Sequence, residues 1–163
     1  MEISHSHLGR GKASLTFKLK NLEDNTTLTK TFNPDEDLEA VEVIKKKIQF
    51  LYSKSRELIF IDAQGRKYQL DRIRLRGKDK FLKKDLAITG LFIDDKLISI
   101  ELPIKAVFRV VSAPPGLKGD SEKTNTKIVV LETGAQISAP LFVNAGDQIL
   151  VNLEKEEYVE RVK

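Results

Sequence analysis

The stretch Leu15-Thr16-Phe17-Lys18-Leu19-Lys20-Asn21-Leu22-Glu23-Asp24-Asn25-Thr26-Thr27-Leu28-Thr29-Lys30-Thr31-Phe32 decides the fold class. From Leu15 to Lys20 apolar and polar residues alternate, the period of a strand with one buried face. Asn21 to Asn25 is turn chemistry, because Asn and Asp side chains hydrogen-bond to nearby backbone and tolerate left-handed geometry. Thr27 to Phe32 resumes the alternation with β-branched Thr, which favours extended backbone. Asn33-Pro34-Asp35 then stops it. The segment is a β-hairpin, and its signature returns along the rest of the chain.

Working outward, Val41, Val43, Ile48, Phe50 and Tyr52 mark a strand pair around Lys45-Lys46-Lys47. Glu57 to Asp62 is a short apolar run closed by the turn Ala63-Gln64-Gly65-Arg66, and Tyr68-Gln69-Leu70 pairs back to it. Ala87 to Ile93 and Leu97 to Leu102 flank the turn Asp94-Asp95. Further strands are expected at Ala106–Val111, Ile128–Leu131, Ala135–Val143, Gln148–Asn152 and Tyr158–Val162, with Pro140 marking an edge or a bulge. The one helix expected covers Ile73 to Leu86, weakened by Gly77. Short strands spaced about 8–12 residues apart with turn signals between them indicate small barrels or sandwiches. Breaks near residue 40 and at Pro103 divide the chain into 1–40, 41–103 and 104–163. The last two blocks each suffice for a five-stranded barrel. The first holds a hairpin that is marginal alone in water, so it must pack on something or be incomplete.

Composition narrows the function classes. The 163 residues are 40% hydrophobic and 32% charged, which suits a soluble globular chain and argues against disorder. No apolar run reaches the roughly 18 residues of a membrane span, and no basic start leads into an apolar core, so a cytoplasmic home without a membrane partner is expected. There is no Cys, which excludes disulfides, thiolate catalysis and Cys-ligated metals. The two His residues, His5 and His7, read as surface residues, and no metal site is expected. Asp94-Asp95 and Glu156-Glu157 are neighbours in turns, whereas paired-carboxylate catalysis needs two groups facing each other across a cleft. No Walker, dinucleotide-binding or nucleophile-elbow pattern occurs.

The net charge of +4 is unevenly spread. Residues 1–40 hold 5 basic and 7 acidic side chains, residues 41–103 hold 15 and 9, and residues 104–163 hold 8 of each. The excess sits in Lys45-Lys46-Lys47, in Arg66-Lys67, and in the run Arg72, Arg74, Arg76, Lys78, Lys80, Lys83, Lys84. Such a run is either a solvated face or a surface that meets nucleic-acid phosphates by counterion release.

Several strings, taken together and in order, resemble the bacterial elongation factor P family. They are Phe17-Lys18-Leu19-Lys20-Asn21-Leu22 with Lys30-Thr31-Phe32, then Gln49-Phe50-Leu51-Tyr52 before Asp62. Next come Lys80-Phe81-Leu82-Lys83 and Ser99-Ile100-Glu101-Leu102-Pro103. Ala113-Pro114-Pro115-Gly116-Leu117-Lys118-Gly119-Asp120, Leu131-Glu132-Thr133-Gly134-Ala135, Pro140-Leu141-Phe142 and Glu157-Tyr158-Val159-Glu160-Arg161 complete the set. The resemblance runs from about His5 to Arg161. It implies an all-β fold of three small barrels: a KOW/SH3-like barrel, then two OB folds. It also implies a non-enzymatic monomer that binds the ribosome beside peptidyl-tRNA, contacts ribosomal RNA and promotes peptide bonds at consecutive prolines. Family members carry more chain before the first loop, so the first barrel is expected to be truncated, lacking its opening strands.

The resemblance places the loop that reaches the peptidyl-transferase centre at Leu8-Gly9-Arg10-Gly11-Lys12. Two glycines keep bulk off such a loop, leaving Arg10 as a long cation whose planar fork suits phosphate or ribose. Read alone, Gly9-Arg10-Gly11 is more readily a plain hairpin turn, and it is the whole-chain resemblance that reverses this reading. By resemblance Arg10 is the modified position. Most relatives have Lys there; a subset has Arg, which a glycosyltransferase rhamnosylates, and no other cofactor is implied. Leu8 stands where the family usually has Pro, and His5 matches a His before the loop. The same resemblance makes Lys118, Gly119, Asp120, Ser121, Lys127, Tyr158 and Arg161 contacts to tRNA or the ribosome. Thr124-Asn125 and Ile128 depart from the family's glycine pair and Pro. The alternative of another class is an OB-fold binder of single-stranded nucleic acid, which needs aromatics on exposed strand faces.

Overall fold

The computed structural model describes residues 3–6, 14–22, 26–33, 35–114 and 126–162. The first of its three antiparallel sheets has the order β1 (Ile3–Ser6), β2 (Ser14–Lys20), β3 (Thr27–Phe32). The β2–β3 hairpin is the quoted stretch, with Leu15 opposite Phe32 and Lys20 opposite Thr27. The Asn21 N–H donates to the Thr26 carbonyl at 2.7 Å to close the turn. The rings of Phe17 and Phe32 meet edge to face at 5.7 Å, the arrangement their quadrupoles favour.

The second sheet holds β4 (Ile44–Lys54), β5 (Glu57–Asp62), β6 (Lys67–Asp71), β7 (Ile88–Ile93) and β8 (Lys96–Glu101), in the order β6-β5-β4-β7-β8. The third holds β9 (Lys105–Ser112), β10 (Thr126–Leu131), β11 (Gln136–Pro140), β12 (Gln148–Asn152) and β13 (Glu157–Val162), in the order β11-β10-β9-β12-β13. Both sheets share one plan: the first strand is central, a meander runs off one side and a hairpin off the other. In each the two outer strands come against each other, β6 to β8 and β11 to β13, so the sheet curls on itself. The expected all-β fold of small barrels, with two OB-type barrels, is borne out.

Alternation sets the cores. Leu58, Phe60 and Asp62 of β5 point inward, as do Ile149 and Val151 of β12. Gly90 sits in β7 because a Cβ there would lie 2.6 Å from Phe92 and 2.9 Å from Ile48. The two barrels share one continuous apolar cluster, bridged where the Phe81 and Phe108 rings approach to 6.0 Å.

Two local expectations are corrected. No α-helix forms over Ile73 to Leu86; the segment folds as two 3-10 turns, Arg72–Leu75 and Lys78–Phe81. Arg76 (φ 50°) and Gly77 (φ 83°) are both left-handed, which ends the first turn. The strand pair expected around the Lys triplet is one long strand, β4, with a bulge between Phe50 and Tyr52. Val41 and Val43 precede it and are exposed. In addition β11 stops at Pro140 rather than running to Val143, since Pro has no N–H to continue a ladder.

Candidate nucleic-acid interface

The structure brings some of the candidate residues together. His5 lies on β1, opposite Leu15 of β2. Gly9, Arg10, Gly11 and Lys12 belong to the connection between β1 and β2 and lie outside the described residues. Lys118, Gly119, Asp120 and Ser121, on the connection between β9 and β10, also lie outside them. Lys127 is half-buried on β10, opposite Ala139.

Tyr158 and Arg161 of β13 converge on a residue that the sequence reading did not single out. Phe142, just past the end of β11, is 56% exposed. Its ring meets Tyr158 edge to face at 6.4 Å, and the Arg161 guanidinium carbon lies 5.8 Å from its centroid. Arg161 also reaches Asp147 at 3.8 Å. Three residues from two chain segments thus form an aromatic–cationic surface. The usable signal was the apolar pair after Pro140: once Pro ends the ladder, one of the two must turn outward.

The basic run divides into two roles. Arg72 pairs with Asp79 at 3.1 Å. Lys80 Nζ reaches Glu156 at 2.6 Å, and Lys83 Nζ reaches Glu132 at 3.0 Å. Both lysines stand over rings, Lys80 over Phe81 at 5.2 Å and Lys83 over Phe108 at 5.0 Å. The Arg72 pair stays within the connection between β6 and β7, whereas the two lysines tie that connection to the third barrel and serve the seam between the barrels. The Lys triplet is split by strand alternation: Lys46 Nζ pairs with Asp95 at 3.1 Å and stands over Phe92 at 4.9 Å, while Lys45 binds Glu101 on the other face. Lys47 is exposed and makes no ion pair among the described residues.

Three members of the run stay at an opening. Arg74, Arg76 and Lys78, with Lys20 from the end of β2, line a cleft of about 580 Å³ that also takes in Ile104, Leu153 and Glu154 of the third barrel. Arg74 Nη1 donates to the Ile98 carbonyl at 3.0 Å, which fixes its guanidinium. Lys78 Nζ lies 3.4 Å from the Glu154 carbonyl.

The most elaborate buried polar group is structural. The Asp62 carboxylate is 2% exposed and accepts four hydrogen bonds. They come from the N–H groups of Gln64 (3.0 Å) and Arg66 (2.9 Å), from Arg66 Nε (3.0 Å) and from the Tyr68 hydroxyl (2.8 Å). Burial pushes its pKa up, but these donors outweigh burial and hold it below the ordinary 3.8. The same bond holds Arg66 above its ordinary value, and burial together with Asp62 raises the Tyr68 hydroxyl. The network rigidifies the β5–β6 turn. Among the described residues no cluster of three or more His, Cys, Asp or Glu could hold a metal, and no helix is long and apolar enough to cross a membrane.

Comparison with known proteins covers both ends and the length between. Residues 1–38 match the elongation factor P KOW-like domain, and residues 107–161 match the elongation factor P C-terminal domain. The elongation factor P of Borrelia hermsii is 38% identical over 169 residues, taking in 100% of this chain and 87% of that protein. Those of Dictyoglomus turgidum and Thermus thermophilus are each 36% identical over 162 residues, 99% of this chain and 88% of the relative. With both terminal domains matched and relatives aligned along almost its whole length, this chain belongs to the elongation factor P family.

Proposed function

We propose that this chain is a translation elongation factor that binds the ribosome beside peptidyl-tRNA and promotes peptide-bond formation at consecutive prolines. The observation that carries the reading is family membership from end to end, together with Gly9-Arg10-Gly11-Lys12 on the connection between β1 and β2. Arg10 is the tip residue and the acceptor of a rhamnose added by a glycosyltransferase. The factor works in the cytoplasm as a monomer, adds no reacting group and is no enzyme. It acts by holding the acceptor end of the tRNA in an attack geometry, an entropic effect that contributes up to roughly 7–11 kcal/mol in favourable cases. Gly119, Asp120, Ser121, Lys127, Tyr158 and Arg161 hold the far end on RNA.

A second reading, RNA binding without stimulation of peptide transfer, is favoured by the exposed Phe142–Tyr158–Arg161 cluster, which suits a stacked base. Against it, the other strongly exposed aromatic among the described residues, Tyr52, sits on a different barrel, so no stacking row forms. A reconstituted translation system with a consecutive-proline reporter separates the two. The rhamnosylated chain is expected to relieve the pause, and Arg10→Ala and the unmodified chain to relieve it poorly. Ribosome binding by the modified chain with the pause untouched would reject the first reading in favour of the second.

A further inference from the structure

We propose that Lys80 and Lys83, through Glu156 and Glu132, fix the angle between the second and third barrels and so act as positioning residues for the factor. This goes beyond the function proposed above and rests on it. A factor that meets a tRNA at two distant places holds both only if its barrels keep one angle. The apolar part of the seam does not set that angle by itself. Its centre is the contact of Phe81 with Phe108, and hydrophobic attraction has no direction. Two clefts, of about 510 and 580 Å³, are each lined from both barrels and run into the seam at Pro103. The contact between the barrels is therefore narrow, with room for one to rock on the other.

The ion pairs supply the direction. Lys80 and Lys83 flank Phe81 in the chain, and each reaches a different hairpin of the third barrel. Lys80 Nζ lies 2.6 Å from Glu156 in the β12–β13 turn. Lys83 Nζ lies 3.0 Å from Glu132 in the β10–β11 turn. With the ring contact they make three separate points, which is what an orientation needs. Both ends of the Lys83 pair are pre-set. Asp85 holds the lysine at 3.3 Å, with its side chain 19% exposed, and Glu132 Oε1 accepts the Arg109 N–H at 3.3 Å. Glu156 carries a second sign. Its φ is 60°, a left-handed geometry that favours glycine. A glutamate there keeps the bond to Lys80 at the cost of backbone strain, the pattern of a side chain that serves position rather than stability.

The chain has no Cys, so Lys67→Cys and Gln136→Cys, exposed on the second and third barrels, take two spin labels in the full chain. Pulsed electron paramagnetic resonance gives the distribution of distances between the labels. The consecutive-proline reporter, titrated with the rhamnosylated factor, gives a maximal rate and a half-saturating concentration. Lys80→Gln/Lys83→Gln is expected to broaden the distribution and to lower the maximal rate about tenfold, because a slight misplacement of positioned groups costs up to roughly 100-fold. The half-saturating concentration is expected to change by less than about threefold, the split that marks positioning rather than binding. Glu156→Gly breaks the Lys80 pair and relieves the left-handed backbone. It is expected to melt no earlier than the parent while its distribution broadens and its maximal rate falls. Lys80→Glu is expected to follow the double variant, and Lys80→Glu/Glu156→Lys to restore both readouts. Lys84→Gln removes a charge from the same connection, at an exposed residue that belongs to neither pair, and is expected to leave the distances as they are. Unchanged distances in the pair variants would overturn the proposal, and so would a broad distribution with full relief of the pause. Maximal rates that fall only in step with the melting temperature would assign the pairs to stability alone and overturn it too. A parent chain that never relieves the pause removes the proposed function, while the distances still decide whether the pairs fix the angle.

Discussion

At the scale of single residues, Asp62 and Gly90 show how much of this fold hangs on single positions. Asp62 is ionised below its ordinary pKa in the folded chain, so the unfolded chain takes up the proton first on acidification. Its contribution to stability is present above the ordinary 3.8 and is lost as pH falls through that value towards the lower folded one. Asp62→Asn is expected to lower the melting temperature at pH 7 and to flatten its fall between about pH 5 and 2. Parallel acid limbs in variant and parent would show that the four donors do not matter to stability. Gly90 is a matter of space. Its Cβ would meet Phe92, Ile48 and Leu97 at 2.6, 2.9 and 3.0 Å, all side chains of the packed barrel interior. Gly90→Ala is therefore expected to cost about 1–3 kcal/mol in urea unfolding, and a neutral result would mean that the barrel relaxes freely around β7.

Among elements, the segment from Arg72 to Leu86 is where sequence and structure part. The apolar residues Ile73, Leu75, Phe81, Leu82 and Leu86 invite a helical reading, and Gly77 reads as a weak point within it. In the fold Leu75, Phe81, Leu82 and Leu86 are buried while Ile73 is 78% exposed, a pattern that two short turns satisfy and one helix does not. The Asp71 side chain accepts from the Ile73 N–H at 3.0 Å and starts the first turn. Gly77 discriminates by sign. In a helix interior Gly77→Ala would stabilise by about 0.8–1.0 kcal/mol. At φ 83°, with open space around the Cβ position, it is expected instead to destabilise by about 1–2 kcal/mol, read as a lower urea midpoint with unchanged m. The strands were legible because alternation and turn chemistry are local: the β2–β3 hairpin and the Asp94-Asp95 turn, where both residues have positive φ, lie where the pattern puts them. The partners of Lys80 and Lys83 were not legible, because they depend on two barrels meeting. Phe142 was hidden in the same way: its exposure follows from where β11 ends, and its partners sit on β13.

Across the molecule, apolar burial is unequal. The second and third sheets share one core, continuous through Phe81 and Phe108 and flanked by the Lys80–Glu156 and Lys83–Glu132 pairs. Exposed pairs of this kind contribute about 0–1 kcal/mol each, so the shared aromatic contact, and not the charges, makes the two barrels one cooperative unit. In the first sheet Phe32 is the one buried hydrophobic residue among the described residues, and it lies outside that core. A sheet with so little burial cannot offset the entropy of ordering it to the same degree. The amides of β2 and β3 are therefore expected to exchange hydrogen faster than those of β5 and β12, and calorimetry to resolve an earlier transition for the first sheet. Phe81→Ala, at a fully buried site, is expected to cost about 3–5 kcal/mol. It should lower the later transition and leave the earlier one in place. Equal protection of all three sheets, or a single transition that Phe81→Ala shifts as a whole, would mean that the first sheet is carried by the barrels and that the chain unfolds as one unit.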